Sequence, residues 1–350
     1  MKKVLYLTNI EVPYRVRFFN ELASKCELTV MYERRKSANR DGKWASAEEK
    51  HYAVEYLDGR NLGDEYGFSL RIIELVKKGW DVVVVGCYNS KVQMLAMAYM
   101  RMHHISFIIN LDGEPFVGSG LKAFVKKQML KGACAYLTAG VKAGASLRKA
   151  IGEGKHIIPY YFSSLTDEEL ARHACLPCNR EKYVLVVGQY FDYKGMDVAF
   201  DAACMDSSIL YKFIGMGKRT DAFARDMGKI PDNVEIIPFL QKKDLEEEYK
   251  KCTVLLLPTR QECWGLVVNE AASFGTPIVS TWGSGAAVEF LSGSYPQYLA
   301  QPGNAVSLLK CIRLCLKSDK SEYVSFLQDF SKLYSIENSV KAHMRAFEIV

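Results

Sequence analysis

Val254-Leu-Leu-Leu-Pro-Thr-Arg-Gln-Glu262-Cys-Trp-Gly265-Leu-Val-Val-Asn-Glu270-Ala-Ala-Ser-Phe-Gly275-Thr-Pro-Ile-Val-Ser280 is the stretch from which the fold is read most directly. Four apolar residues closed by Pro258 predict a buried strand, and a polar loop follows. A helix then starts near Gly265, and Gly275 with Pro277 stops it ahead of a second strand at Ile278. A strand, a helix and another strand in so short a span form one unit of a parallel sheet. The amides of Gly265, Leu266 and Val267 fall at the helix N-terminus, where unpaired N–H groups and the dipole favour an anion, so the segment predicts a diphosphate seat. Glu262, in the loop ahead of it, is placed to accept from a sugar hydroxyl. Glu270, on the second turn, is placed to take the paired hydroxyls of a ribose.

The same alternation extends outward in both directions. Strands are predicted at 184–187, 211–214, 234–237, 254–257 and 278–280, with helices around 198–203, 244–250 and 266–274. Upstream, 4–7, 28–31, 82–85, 107–109 and 135–138 read as strands, with helices over 17–24, 70–77 and 91–102. The polar stretch 163–182, which contains Pro177, interrupts the alternation and is read as the linker. The expected organisation is α/β: two doubly wound Rossmann-like domains facing across a cleft, over 1–165 and 166–325. A C-terminal helix over 326–350, with Phe326, Phe330, Leu333 and Tyr334 in helical spacing, is expected to cross back and pack on the first domain. Ligands of such sheets sit beyond the carboxyl ends of the strands.

At 350 residues and 49% hydrophobic, the chain has material for two cores. The ten cysteines are scattered and no secretory signal precedes them, so a reducing, cytoplasmic setting is expected. Apolar runs fall well short of the roughly 20 residues that span a bilayer. The net charge of +6 is uneven: no acidic residue occurs between Glu114 and Glu153, where Lys122, Lys126, Lys127, Lys131, Lys142, Arg148 and Lys149 all fall. Leu121, Phe124, Val125, Met129 and Leu130 recur there at helical spacing. The resulting cationic amphipathic helix suits either an anionic membrane surface, at the inner face of the cell membrane, or simple core packing with solvated lysines. No phosphate-cradling Gly-x4-Gly-Lys-Ser/Thr sequence and no complete Gly-x-Gly-x2-Gly is found, since Gly215-Met-Gly217 lacks the third glycine. The basic residues lack the interleaved aromatics of a nucleic-acid groove, and no carboxylate pair has metal-ligand spacing, so neither a nucleic-acid partner nor an obligatory metal or cofactor is expected. His173-Ala-Cys175-Leu-Pro-Cys178 contains a Cys-x2-Cys pair with no second pair at zinc-finger distance.

Two glutamates eight positions apart with Gly-Leu between them and Gly275-Thr-Pro after them resemble the donor-binding signature of the retaining GT-B glycosyltransferases of family 4, the glycosyl transferases group 1. The chain is similar to members that build bacterial polysaccharides. A second segment agrees: Gly188-Gln189-Tyr-Phe-Asp-Tyr-Lys194-Gly195 resembles the family loop that carries an arginine directly after the glycine and a lysine five residues later, both directed at the donor diphosphate. Lys194 matches the lysine, whereas Gln189 replaces the arginine by a neutral donor. By resemblance, Gly188, Gln189, Gly215, Phe239, Gly265, Leu266, Val267 and Glu270 bind a nucleotide sugar, with UDP as the expected nucleotide and the base near 238–240. Glu262 and Lys194 act at the reacting sugar. Asp112, in Leu-Asp112-Gly113-Glu114-Pro115 after a strand, occupies a point where the family often places a histidine or acid, with Glu114 as second choice. Arg15 and Arg17, in Pro13-Tyr14-Arg15-Val-Arg17, resemble openings of polysaccharide-building members and are assigned to the acceptor side with Glu114, Lys122, Lys126 and Lys127.

The resemblance implies a retaining hexosyltransferase that moves sugar from a UDP-sugar to a saccharide or lipid-linked saccharide acceptor. Two other readings share the cleft and remain open on these residues: a non-hydrolysing UDP-sugar 2-epimerase, and a catalytically silent nucleotide-sugar binder, which Gln189 makes thinkable.

Overall fold

The computed structural model describes residues 1–35, 48–62, 66–115, 120–176 and 178–350, together with the backbone but not the side chains of 121 and 122. Pro177 and the Lys122 side chain therefore lie outside the described residues. Contacts within the chain gather into two units, Met1–Ser164 with Ile336–Val350, and Leu165–Ser335.

The strands of the first unit are β1 (Lys3–Ile10), β2 (Glu27–Arg34), β3 (Ala53–Tyr56), the short β4 (Arg60–Asn61) and β5 (Gly67–Phe68), β6 (Val82–Val85), β7 (Ile108–Leu111), β8 (Ala135–Ala139) and β9 (His156–Tyr160). Among the described residues, seven of them form one parallel sheet in the order β3-β2-β1-β6-β7-β8-β9, and β4 and β5 pair as a separate hairpin. Central strands of a parallel sheet are covered on both faces, which is why β6 is an unbroken run of valines, none of them accessible. The register Val4↔Val82 to Leu7↔Val85 lines β6 up against β1. The helix Pro13–Ala23 begins with proline at its first position, where no N–H is needed, and buries Val16, Phe18, Phe19 and Leu22. The last helix, Ile336–Phe347, belongs to this unit; it packs on Pro13–Ala23 and sets His343 among Tyr6, Phe18 and Tyr160.

The second unit repeats the plan with β10 (Glu181–Val187), β11 (Leu210–Ile214), β12 (Val234–Ile237), β13 (Cys252–Leu257), β14 (Ile278–Thr281) and β15 (Leu299–Ala300). They lie in the order β12-β11-β10-β13-β14-β15, all parallel. Chain order runs outward from β10 to β11 and β12, then returns to the other side of β10 with β13. The loops after β10 and β13 therefore diverge at a topological switch point, the place where open α/β sheets bind ligands. The chain is thus α/β with two Rossmann-like domains.

Two details differ from the sequence reading. The stretch read as a linker holds a helix, Asp167–Cys175, started by a capping box: the Thr166 hydroxyl accepts from the Glu169 amide while the Glu169 carboxylate accepts from the Thr166 amide. Residues 326–335 group with the second unit rather than the first. The helix Ser321–Ser331 lies against Leu266–Ser273, with Phe330 against Phe290 and Tyr334.

Candidate functional site

The loops after β10 and β13 are tied together before any ligand is considered. The carbonyl of Tyr193 accepts from the Thr259 hydroxyl (2.7 Å), the Arg260 amide (2.8 Å) and the Gln261 amide (3.2 Å). Arg260 forks onto both oxygens of Asp197 at 2.8 and 2.5 Å. Burial works to raise the Asp197 carboxyl, but the Arg260 hydrogen bonds and charge outweigh it and hold it below its ordinary value. Gly195, with φ +66°, lets the first loop approach so closely that a Cβ would stand 2.2 Å from the Pro258 carbonyl oxygen. The result fixes Lys194 opposite Glu262: their ammonium and carboxylate form a half-buried ion pair.

At Glu262 the chain is held by main-chain bonds to the loop after β14. The Glu262 amide donates to the Gly283 carbonyl (2.9 Å), and the Glu262 carbonyl accepts from the Gly285 amide (3.2 Å). Gly265 then caps the helix Leu266–Ser273 with φ +108°. The Trp264 indole donates to Asn269 at 2.8 Å, locking the turn that presents the first helical amides, those of Leu266 and Val267. Glu270 lies on the second turn and accepts from the buried Tyr249 hydroxyl at 2.9 Å. That phenol is kept protonated by burial first and by the Glu270 charge second. Behind this helix, His173 bonds Ser273 at 2.8 Å and stacks on Phe274; burial holds it neutral, with its pKa down to about 4.

Gly188 closes β10 with its amide on Ile214 (2.9 Å), and Gly215 (φ +98°) closes β11 with its amide on Ile237. Gln189 and Phe239 are half-buried on the loops after β10 and β12. The predicted donor residues thus fall at the carboxyl ends of adjacent strands, and Lys194 and Glu262 meet directly. Tyr249, Arg260 and Asp197 support them, and sequence reasoning does not single them out. Arg260 sits inside the opening segment, but its partner lies 63 residues away.

In the first unit, Asp112 follows β7 and is enclosed. It pairs with Arg15, and its other oxygen accepts from the Tyr160 hydroxyl (2.6 Å) and the Asn110 amide (2.8 Å). Burial opposes the Arg15 charge, yet the neighbouring Asp112 outweighs it and the guanidinium stays protonated. Arg17 points elsewhere, donating to the Ser164 carbonyl at 2.7 Å. Glu114 does not join Asp112; it pairs with Lys142 at 3.1 Å on the surface. On the helix Gly120–Leu130, Ala123 and Leu130 are buried, whereas Phe124 is 59% exposed, and Lys126 and Lys127 are partly exposed. Val141, on the next helix, is 64% exposed beside Lys142. Among the described residues no helix is long and apolar enough to cross a membrane.

Residues 169–326 match the family model "Glycosyl transferases group 1", so the second unit carries a domain of that family. An uncharacterized glycosyltransferase of Methanocaldococcus jannaschii is 27% identical over 47% of this chain and 47% of its own, so the chain spans about half of that relative. An uncharacterized glycosyltransferase of Haemophilus influenzae is 28% identical over 78% of this chain and 80% of its own. Among solved structures, Anabaena HepE in complex with UDP and glucose superposes with a TM-score of 0.72 at 16% identity, covering 100% of both chains. A trehalose-6-phosphate synthase, studied for glycosyl transfer with retention, gives 0.72 at 12% identity over 99% of both. Sucrose-phosphate synthase of Thermosynechococcus elongatus gives 0.69 at 15%, over 99% and 98%. At these identities the solved structures establish the fold, which is that of GT-B glycosyltransferases.

Proposed function

We propose that this chain, with its glycosyl transferases group 1 domain, is a retaining glycosyltransferase that takes a hexose from a UDP-sugar and passes it to a hydroxyl of a saccharide or lipid-linked saccharide acceptor. The observation that carries the reading is the meeting of Lys194, after β10, with Glu262, after β13, at the switch point of the second sheet and just ahead of a helix N-terminus. In this reading the amides of Leu266 and Val267 and the Lys194 ammonium face the diphosphate. Glu270, steadied by Tyr249, takes the ribose hydroxyls, and Glu262 takes a hydroxyl of the sugar. Gln189 supplies a hydrogen bond in place of a fixed cation, which concentrates leaving-group stabilisation on Lys194 and the helix end. The bond from the anomeric carbon to the diphosphate breaks, the acceptor oxygen bonds to that carbon on the same face, and the acceptor proton passes to a departing phosphate oxygen. Asp112, already accepting three donors, serves to orient groups rather than to remove that proton. The UDP assignment and retention rest on the complexes and mechanism named for the similar structures.

Incubation with UDP-glucose and a panel of hexose and N-acetylhexosamine glycosides should release UDP and give a product whose anomeric proton matches that of the donor. An inverted product removes the retaining mechanism; conversion of UDP-N-acetylglucosamine alone, without an acceptor, favours the epimerase.

The exposed Phe124 and Val141 among Lys126, Lys127, Lys142 and neighbouring cations further support docking of this face on an anionic bilayer, as a lipid-linked acceptor requires. Sedimentation with phosphatidylglycerol-containing vesicles should exceed that with phosphatidylcholine vesicles and fall with salt. Phe124→Asp should reduce it severalfold; equal binding to both vesicle types would remove the membrane from the reaction.

A further inference from the structure

Among the described residues of the second unit only two aromatic side chains are exposed, Tyr193 at 46% and Trp282 at 44%. Both stand at the same loop. From the β10 side, the Tyr193 carbonyl takes the hydrogen bonds of Thr259, Arg260 and Gln261. From the β14 side, Gly283, the neighbour of Trp282 in the chain, accepts from the Glu262 amide at 2.9 Å. The loop that carries Glu262 therefore runs between two exposed aromatic residues, on strands that both border β13.

Trp282 differs from the other described tryptophans. Trp264 is buried and donates its indole N–H to Asn269 at 2.8 Å; Trp80 is half-buried and donates to the Leu75 carbonyl at 2.7 Å. The Trp282 indole is exposed, and its N–H meets no acceptor among the described residues. Its backbone, in contrast, is pinned. The Trp282 amide donates to the Ala300 carbonyl at 3.1 Å, and the Gly283 amide to the Thr281 hydroxyl at 3.1 Å. Gly283 lies so near the loop after β13 that a Cβ would stand 2.3 Å from the Arg260 carbonyl oxygen. A large apolar ring is thus held in water on a fixed strand end, at the edge of the sheet where ligands bind, and core packing gives it no reason to be there.

The order of the strands points to the ligand. In the proposed reading the base lies after β12, the diphosphate after β10, and the transferred sugar at Glu262 after β13. Trp282, after β14, stands one strand further in the order β12-β11-β10-β13-β14, on the far side of Glu262 from the nucleotide. The charges nearest this loop are spent, Arg260 on Asp197 and Lys194 on Glu262. A flat apolar face with one N–H to give matches the C–H face of a pyranose and one of its oxygens. We infer that Trp282 is a stacking platform for a neutral sugar ring of the acceptor and thereby determines acceptor specificity. Naming the ligand an acceptor rests on the proposed function, but stacking of a sugar ring on Trp282 does not.

The test uses the full chain with its own indole as the reporter. In the presence of UDP, methyl glycosides of glucose, galactose, mannose and N-acetylglucosamine are titrated while tryptophan emission is followed. At least one glycoside should shift or quench the emission, and the change should shrink severalfold in Trp282→Phe, which keeps a stacking ring but removes the reporting indole. In transfer assays Trp282→Ala should raise KM for that glycoside by about fivefold to tenfold while kcat moves less than about twofold, and Trp282→Phe should stay within about threefold of the wild type. Melting temperature and UDP-glucose affinity should be the same in all three proteins. No response to any glycoside, a response of equal size in Trp282→Phe, or an unchanged KM in Trp282→Ala overturns the inference. So does equal damage from alanine and phenylalanine with a lowered melting temperature, which would make the indole a structural residue. Absence of UDP-glucose binding by the wild-type chain, with the glycoside response intact, would remove the donor reading and leave the platform standing.

Discussion

Lys194→Met should lower kcat/KM for sugar transfer by about 100- to 1,000-fold, the range seen when one preorganised group facing a developing charge is removed. The expectation is large because, in the proposed reading, the loop after β10 offers the diphosphate a neutral Gln189 and leaves Lys194 as the cation of these two positions. Methionine keeps the length and apolar stem of lysine, so the loop knitted by Tyr193, Thr259 and Arg260 should hold its shape. The variant leaves Glu262 without its cation, a half-buried charge that can still reach solvent, so the stability cost should be small against the catalytic one. Steady-state UDP release, beside a thermal melt, reads the two separately. A loss below threefold would mean that Lys194 does not face the leaving diphosphate.

Gly195→Ala should act through the backbone one residue further on. A non-glycine residue in the left-handed region costs about 1–2 kcal/mol. Here the added methyl also meets a main-chain oxygen at 2.2 Å, which cannot swing aside as a flexible side chain would. Together these should cost about 3 kcal/mol or more, lowering the melting temperature of the second unit by roughly 6–12 °C. Relief of the clash requires the loop after β10 to retreat from Pro258, so Lys194 and Glu262 separate and transfer falls as well. Gly293→Ala, where a Cβ meets nothing within 4 Å, is the control. Equal melting temperatures for the two variants would rule out the close approach of these loops.

Much of this arrangement is legible from residue order because a parallel sheet imposes a simple code. Runs such as Val82–Val85 and the four apolar residues before Pro258 have to be buried on both faces, and Gly275-Thr-Pro ends one helix for local reasons. The helix Asp167–Cys175 is also written locally, in Thr166 and Glu169, but its polar composition reads as a linker. What local sequence does not carry is partnership at a distance. Tyr249 steadies Glu270 across 21 positions, Asp197 holds Arg260 across 63, and Tyr160 reaches Asp112 across 48. His343 is the extreme case: an isolated histidine near the end of the chain packs beside Tyr6, Phe18 and Tyr160, all of them more than 180 positions away. Arg15 and Arg17 show the converse, two similar residues on one helix turn with different destinations.

If a nucleotide sugar is held at the carboxyl ends of β10 and β13, calorimetric titration with UDP-sugars will register it without any knowledge of the acceptor. UDP-glucose or another UDP-hexose should bind the wild-type chain at one site. Glu270→Ala, which removes the ribose contact, and Lys194→Met, which removes the cation, should each weaken that binding by about tenfold or more. Absence of binding by every UDP-sugar tested, or affinity unchanged in both variants, would mean that the donor site lies elsewhere or does not exist.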